Sequence, residues 1–431
     1  MTLRRPVVGL LTAAAVASLL AACGSSSSSS STAASGTATA ASSSAPAGSN
    51  ASGSPIVVGT ICSCSGFAAA SLADVPAVVS AWTKYVNANG GINGHPVQVK
   101  LEDDAGDAAT ALQAAKTLVE QDHVMAIVGE FSNEDTAFQK YAEQQGVPVV
   151  GGQPYSTPMS TSPDFFPTGA TIVPSLGYGL GAAAKALGKT KYAALYCAEA
   201  PVCGTFTAPF AQSLKNAVGG MSLVYSGKIA ANAPSYTAQC LAAKQAGADA
   251  MFIGDTADVV TRVLDNCTQQ GYKPAQFNSA GDIGNSVVKD PNSNGTTVIV
   301  YNLPVANTTT PGGKLYNDVI DKYAAGIRSH SSYGDALMEV FAGLQMFRTV
   351  GNDQKLTPSS TPAEVKAGLY ALKNETLGGI APPLNYVAGK PTAVNCWFQE
   401  TIENQKLVVS NPAPQCVPPD KIAPLYKAFG G

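Results

Sequence analysis

From Pro55 to about Asn302 the sequence alternates short β-rich runs with amphipathic segments, and this alternation limits the possible folds more than any other feature. "IVVGTI" (56–61) is a buried-strand run. "VPAVVSAWTKYVNANGG" (75–91) has helical apolar spacing and ends in glycine; its Trp82 reads as a core residue. "VQVKLED" (97–103) alternates like a strand. "DAATALQAAKTLVEQD" (107–122) is helical, with Asp107 as its N-cap. Strand "MAIVG", helix "NEDTAFQKYAEQQG" and strand "VPVVGG" follow. Repeated βα units of this kind form a parallel sheet with helices on both faces.

A helix at about 174–187 leads into a second series. Strands read at "YAALYC", "MSLVYSG", "DAMFIG", "AQFNSA" and "TTVIVYN", with helices at 206–217, 235–246 and 256–270. The rhythm then changes. Helices at 313–325, 333–350 and 362–373 have few strands between them, and "AVNCWFQET" and "KLVVSN" close the chain. A length of 431 residues exceeds one compact domain, so two α/β lobes are expected, sharing the C-terminal material.

Charge narrows the function. Charged residues are 13% of the chain and the net charge is −3, with no cluster of Lys and Arg beyond Arg4-Arg5. Nucleic-acid binding, which needs clustered cations to neutralise phosphates, has no support. No apolar run after residue 23 reaches the roughly 20 residues of a membrane-spanning helix. The three histidines, His95, His123 and His330, lie in no metal or nucleophile motif, and neither G-x-S-x-G nor H-E-x-x-H occurs. "AAAKALGKT" (182–190) lacks the first glycine of a phosphate loop, and Gly188 reads as the end of a helix. An enzyme is not expected, nor a cofactor or metal.

The N-terminus gives an address. Arg4 and Arg5 precede an apolar stretch, 7–20, and then small residues, the pattern of an export signal over 1–22. Leu20-Ala21-Ala22-Cys23 resembles the lipobox of bacterial lipoproteins, which implies cleavage before Cys23 and lipidation of its thiol. Residues 24–54 are Ser, Ala, Gly and Thr with Pro46 and Asn50, and have no large apolar side chain or charge. Such a segment cannot offset its ordering entropy and reads as a flexible tether with a reach of roughly 30 Å. The folded body is expected outside the cytoplasmic membrane, anchored at Cys23.

Eight further cysteines suit an oxidising compartment. Proximity favours Cys197 with Cys203, Cys240 with Cys267, and Cys396 with Cys416. That leaves Cys62 and Cys64, whose C-x-C bridge closes a small ring. With no C-x-x-C pair and no His near a Cys, metal binding is disfavoured.

In order, the pieces "IVVGT", "VNANGGINGHPVQVKLEDDAGDAATALQAAKTLVEQDHVMAIVGEFS", "QGVPVVGGQPYSTPMST" and "ADAMFIGDTADVVTRVLDNCTQQGYK" resemble the periplasmic solute-binding proteins of the branched-chain amino acid (Leu/Ile/Val-binding) ABC transporter type. The resemblance covers Pro55 to about Cys416. It implies the type I periplasmic binding protein fold: two doubly wound parallel-sheet lobes joined by three crossings. Lobe one would be 55–170 plus 304–390, and lobe two 171–303 plus 391–431. It further implies a monomer that closes on a small solute and delivers it to a membrane permease with ATPase subunits. A ligand sensor of the same fold without transport is the alternative.

Solute is expected at the carboxyl ends of the strands. Ser65 and Gly66 stand at the family's Thr-Gly loop. Ser132 and Asn133 follow the third strand, where free N–H groups ahead of a helix suit a carboxylate; Ser132 is equally suited to capping that helix. Tyr155 and Ser156 fall at the family's ligand-holding loop. Phe206, Asp255, Thr256 and Asp282 are the lobe-two candidates, with Asp255 also a candidate helix cap. One departure stands out. The family's ammonium-holding acid aligns with Gly281, one position before Asp282, and its other acid falls in "TGATIVPS", which has none. The expectation is therefore a small polar or aromatic solute other than an ordinary α-amino acid.

Overall fold

The computed structural model describes residues 51–429 except Ala200. The first βα series builds a five-stranded sheet from β1 (Ile56–Cys62), β2 (Val97–Asp103), β3 (Ile127–Glu130), β4 (Val149–Gly152) and β5 (Phe165–Phe166), in the order β2-β1-β3-β4-β5. Every pairing is parallel. Asp107 caps the helix Ala108–Lys116 by accepting the Thr110 N–H at 2.8 Å. Gly146, at φ +66°, ends the helix Asp135–Gln145 in the left-handed conformation that glycine adopts without steric cost.

Both faces of this sheet are covered. One core holds Ala111, Leu118, Phe138 and Met159. The other holds Val78, Trp82, Phe341 and Phe347, from the helices Val75–Ala88 and Ala336–Asp353. Trp82 is fully buried, and its indole N–H donates to Gln345 Oε1 at 2.7 Å.

The second sheet comprises β6 (Lys191–Cys197), β7 (Ser222–Ile229), β8 (Ala250–Gly254), β9 (Ala275–Ser279) and β10 (Thr297–Val300). A short pair follows in sequence, β11 (Lys373–Glu375) with β12 (Leu384–Asn385). Then β13 (Cys396–Glu403) and β14 (Lys406–Cys416) complete the seven-stranded order β14-β13-β10-β9-β8-β6-β7. The parallel core of this second sheet, β10-β9-β8-β6-β7, follows the expected doubly wound pattern, and two antiparallel strands extend it. β13 runs antiparallel to both β10 and β14. Only Asn404 and Gln405, at φ +50° and +60°, join β13 to β14, and a two-residue turn of that kind folds a chain straight back on itself.

The second core draws on Ala170 and on residues up to Leu303, and again on Trp397, Phe398 and Leu425; the first draws on Val305 through Val394. Three segments pass between them and are bonded side by side. Ala170 N–H donates to Tyr301 O (3.1 Å), Thr171 N–H to Val394 O (3.2 Å), and Asn302 Nδ2 to Thr168 O (2.8 Å). The chain is anchored to the body earlier than the expected tether boundary at 54. Ala51 N–H donates to Asn87 O (3.2 Å) and Ser52 N–H to Gly94 O (3.1 Å). Cys23 and the signal lie outside the described residues.

Disulfides join Cys62 to Cys64, Cys197 to Cys203, Cys240 to Cys267 and Cys396 to Cys416. Among the described residues no helix is long and apolar enough to cross a membrane, and no group of His, Cys, Asp and Glu is placed to hold a metal.

Candidate ligand-binding site

The loops that leave the carboxyl ends of β1, β3, β4, β6, β8 and β9 surround a cavity of about 110 Å³. On the same measure one water takes about 10–15 Å³, so the space equals roughly seven to eleven waters and suits a small solute. The lobes touch around it. Ala257 N–H from lobe two donates to Ser71 Oγ of lobe one at 3.3 Å. Beside it, Asn285 and Ser286 N–H donate to Tyr333 O (3.0 Å) and Ser331 O (3.2 Å), and Asn285 Nδ2 reaches Arg328 O and His330 O (2.9 and 2.8 Å).

Six of the ten sequence candidates line the cavity: Asn133, Tyr155, Phe206, Asp255, Thr256 and Asp282. Four do not. Ser65 is exposed, and its N–H donates to Asp103 Oδ1 at 3.3 Å. Gly66 sits at φ +70°, and a Cβ there would come 2.4 Å from Ala105 O; its role is the turn that delivers Phe67 to the cavity. Ser132 is buried inside its own loop. Its hydroxyl donates to Asp104 Oδ2 and accepts the Glu134 N–H at 3.0 Å, so it braces its loop, while the helix Asp135–Gln145 that it was expected to cap has no side-chain N-cap bond. Ser156 is buried at the N-terminus of the helix Thr157–Thr161.

The cavity wall also holds residues that sequence reasoning did not select, among them Phe67, Tyr196, Phe252, Leu176 and the Cys197–Cys203 bridge. Tyr196 stands one residue from the end of β6, where the strand-end rule reaches it. Phe252 lies mid-strand in a run that reads as plain core, and Leu176 lies in a helix after the first crossing; neither carries a sequence signal for binding.

Asp255 is 6% exposed. Its Oδ1 accepts the Thr256 N–H at 2.7 Å, whereas Oδ2 has no hydrogen-bond partner among the described residues. Burial, reinforced by Glu199 and Asp258, pushes this carboxyl up to about 7. Asp282 accepts the N–H and hydroxyl of Ser279 (3.0 and 2.6 Å); burial, with Asp255 nearby, pushes it up to about 8. Tyr155 stands between the lobes, its ring 5.3 Å from that of Tyr301, and burial with Glu339 and Asp282 raises its hydroxyl well above the usual range. Glu339 is fully buried behind this layer, and burial followed by Asp335 and Asp282 raises it well above the carboxylate range.

These contacts revise the reading of the departure at Gly281. A Cβ there would meet the Tyr155 hydroxyl at 2.8 Å, so Tyr155 takes the space of a side chain at that position. The acid enters one residue later, and the cavity does contain acids.

The sequence profile of the periplasmic binding proteins matches residues 55–405. The chain belongs to that family. An amino acid binding protein of Pseudomonas aeruginosa is 36% identical to this binding protein over 80 residues, 18% of this chain and 20% of that protein; the chain thus aligns with about a fifth of that relative's length. A branched-chain amino acid ABC transporter protein of Thermus thermophilus, solved with bound valine, superposes with a TM-score of 0.75 at 13% identity, covering 88% of this chain and 99% of that one. A leucine-binding protein of Thermotoga maritima gives 0.68 at 15%, over 85% and 100%. At these identities the likeness establishes the type I fold and says nothing of the solute. The relatives are binding proteins, and the family's location is extracytoplasmic.

Proposed function

We propose that this protein is the solute-binding component of an ABC importer, held on the outer face of the cell membrane by lipid on Cys23. It acts as a monomer that closes its lobes on one small organic solute and hands it, unaltered, to a membrane permease with ATPase subunits. The observation that carries this reading is the cavity at the strand carboxyl ends, walled by residues of both lobes. A site divided between lobes joined by three side-by-side segments suits hinge closure, which a transported solute needs for both capture and release.

A thermal-shift screen of amino acids, amines, organic acids, amides, polyols and short peptides tests the binding step. A solute at 100 times its dissociation constant stabilises the protein by about 2.7 kcal/mol. Uptake of that labelled solute by cells with and without the gene tests transport. No shift across the panel counts against binding. A shift without any change in uptake points to a receptor.

A further inference from the structure

We propose that the cavity binds an organic cation, an amine carried on an apolar body, and rejects solutes with a free carboxylate. The proposal rests on the solute-binding reading above and names the chemistry that the same site accepts.

The first observation is an uncompensated carboxylate. Asp255 is buried, borders the cavity, and leaves Oδ2 without a partner. The lining residues include Asp255 and Asp282 but no Lys, Arg or His. Glu199 and Asp258 add negative potential at Asp255. Arg262 does not offset it within the cavity: its guanidinium donates to Ala231 O and Ala233 O and meets Asp258 at 3.5 Å. A buried acid with no cation is costly, and a ligand ammonium compensates it directly.

The second observation concerns donors. A solute carboxylate needs N–H groups, and the backbone groups at these strand ends are already engaged by the chain itself. In lobe one, Ser132 N–H donates to Glu130, Asn133 N–H to Ser63 Oγ (3.0 Å), and Glu134 N–H to Ser132 Oγ (3.0 Å). Cys64 N–H donates to Asp103 Oδ1 at 3.1 Å. In lobe two, Thr256 N–H goes to Asp255, Ala257 N–H to Ser71 Oγ, and Ser279 N–H to Asp282. In the loop after β3, which on sequence suited a carboxylate, the N–H groups of Ser132, Asn133 and Glu134 are taken by side chains at the end of β3, in that loop and in the loop after β1. An anion placed here would face the unpartnered Asp255 oxygen and find these backbone donors already engaged.

The third observation is the rest of the wall. Phe67, Tyr155, Tyr196, Phe206 and Phe252 bring five aromatic rings to a cavity of about 110 Å³. Ring faces attract cations and bury apolar bodies, so the wall suits both parts of an amine.

The test is isothermal calorimetry and thermal shift on the purified protein with matched probes: 3-methylbutylamine, leucine and 4-methylpentanoate; phenethylamine, phenylalanine and 3-phenylpropanoate; and choline. The expected result is that at least one amine or choline binds at least tenfold tighter than every carboxylate-bearing probe. Asp255→Asn should then weaken that cation at least tenfold. Asp282→Asn is the second variant should the first fail to fold. Tighter binding of leucine, phenylalanine or either acid overturns the cation proposal and leaves solute binding intact. Binding only of uncharged solutes in the wider screen does the same. No binding by any probe in either panel overturns both readings together.

Discussion

Replacing Asp255 by Asn should stabilise the unliganded protein by an amount that grows as pH rises from about 4 to 7. The ordinary carboxyl value of 3.8 rises to about 7 in the fold, with burial as the leading cause. A group whose value is raised by folding has its contribution fully present below the unfolded value and loses it as pH climbs to the folded value. The loss therefore accrues between about pH 4 and pH 7 and is constant above that. Roughly three pH units correspond to about 4 kcal/mol at 1.36 kcal/mol each. Oδ2 borders a cavity that admits water, so about 2–4 kcal/mol is the working range. Asparagine keeps the oxygen that accepts the Thr256 N–H and removes the charge. Urea unfolding of both proteins without ligand, at pH 4.5, 7 and 9, reads the difference directly. It should be about 1 kcal/mol at pH 4.5 and reach its full size by pH 9, with the m-value unchanged. A difference that is independent of pH, or a variant weaker than wild type at pH 9, refutes the reasoning.

Replacing both Cys240 and Cys267 by Ala frees a loop of sequence separation 27 and should cost about 3–4 kcal/mol in urea unfolding under oxidising conditions. Gly152→Ala places a Cβ 1.5 Å from Glu130 O at φ +107°, and should lower stability by more than about 3 kcal/mol or abolish soluble expression. Asn285→Ala removes two hydrogen bonds between the lobes and should speed ligand dissociation roughly three- to tenfold in stopped-flow measurements, with little change in the association rate. Cys23→Ala protein should still fold and bind solute but should lose labelling by radioactive palmitate; persistent labelling refutes the anchor.

The sheets were legible wherever periodicity carried them. β2 has the predicted bounds, and Asp107 caps the predicted helix, because both depend on local patterns of burial and capping. β5, two residues long, and the pair β11–β12 were not read, since runs of two or three residues have no measurable period. The C-terminal helix Pro419–Ala428 was also missed: two prolines at its start and Pro424 within it obscure the helical signal. At the site, strand-end logic selected Asn133, Asp255 and Asp282, because the carboxyl end of a parallel strand is fixed by topology. It did not separate Ser132 from Asn133. Which of two neighbours turns inward is settled by Asp104, a residue 28 positions away that takes the Ser132 hydroxyl. Phe252 entered the wall from the middle of a strand through tertiary placement alone.

The acids at the strand ends link stability to closure. In lobe one, Asp103, Asp104 and Glu130 accept the N–H groups of the loops around them, so those loops hold their shape without a ligand. In lobe two, Asp282 and one oxygen of Asp255 do the same. Glu130 Oε2 and Asp255 Oδ2 are both without a hydrogen-bond partner among the described residues, but of these two acids only Asp255 lines the cavity. With the lobes apart, water can solvate that oxygen; with the lobes together and the cavity empty, the carboxyl must be protonated or stand uncompensated. A ligand cation removes that cost only in the closed state, and a ligand shifts a two-state equilibrium by no more than its differential affinity for the two states. On the proposed function, the unsatisfied oxygen of Asp255 would disfavour an empty closed form and favour closure on a cationic solute.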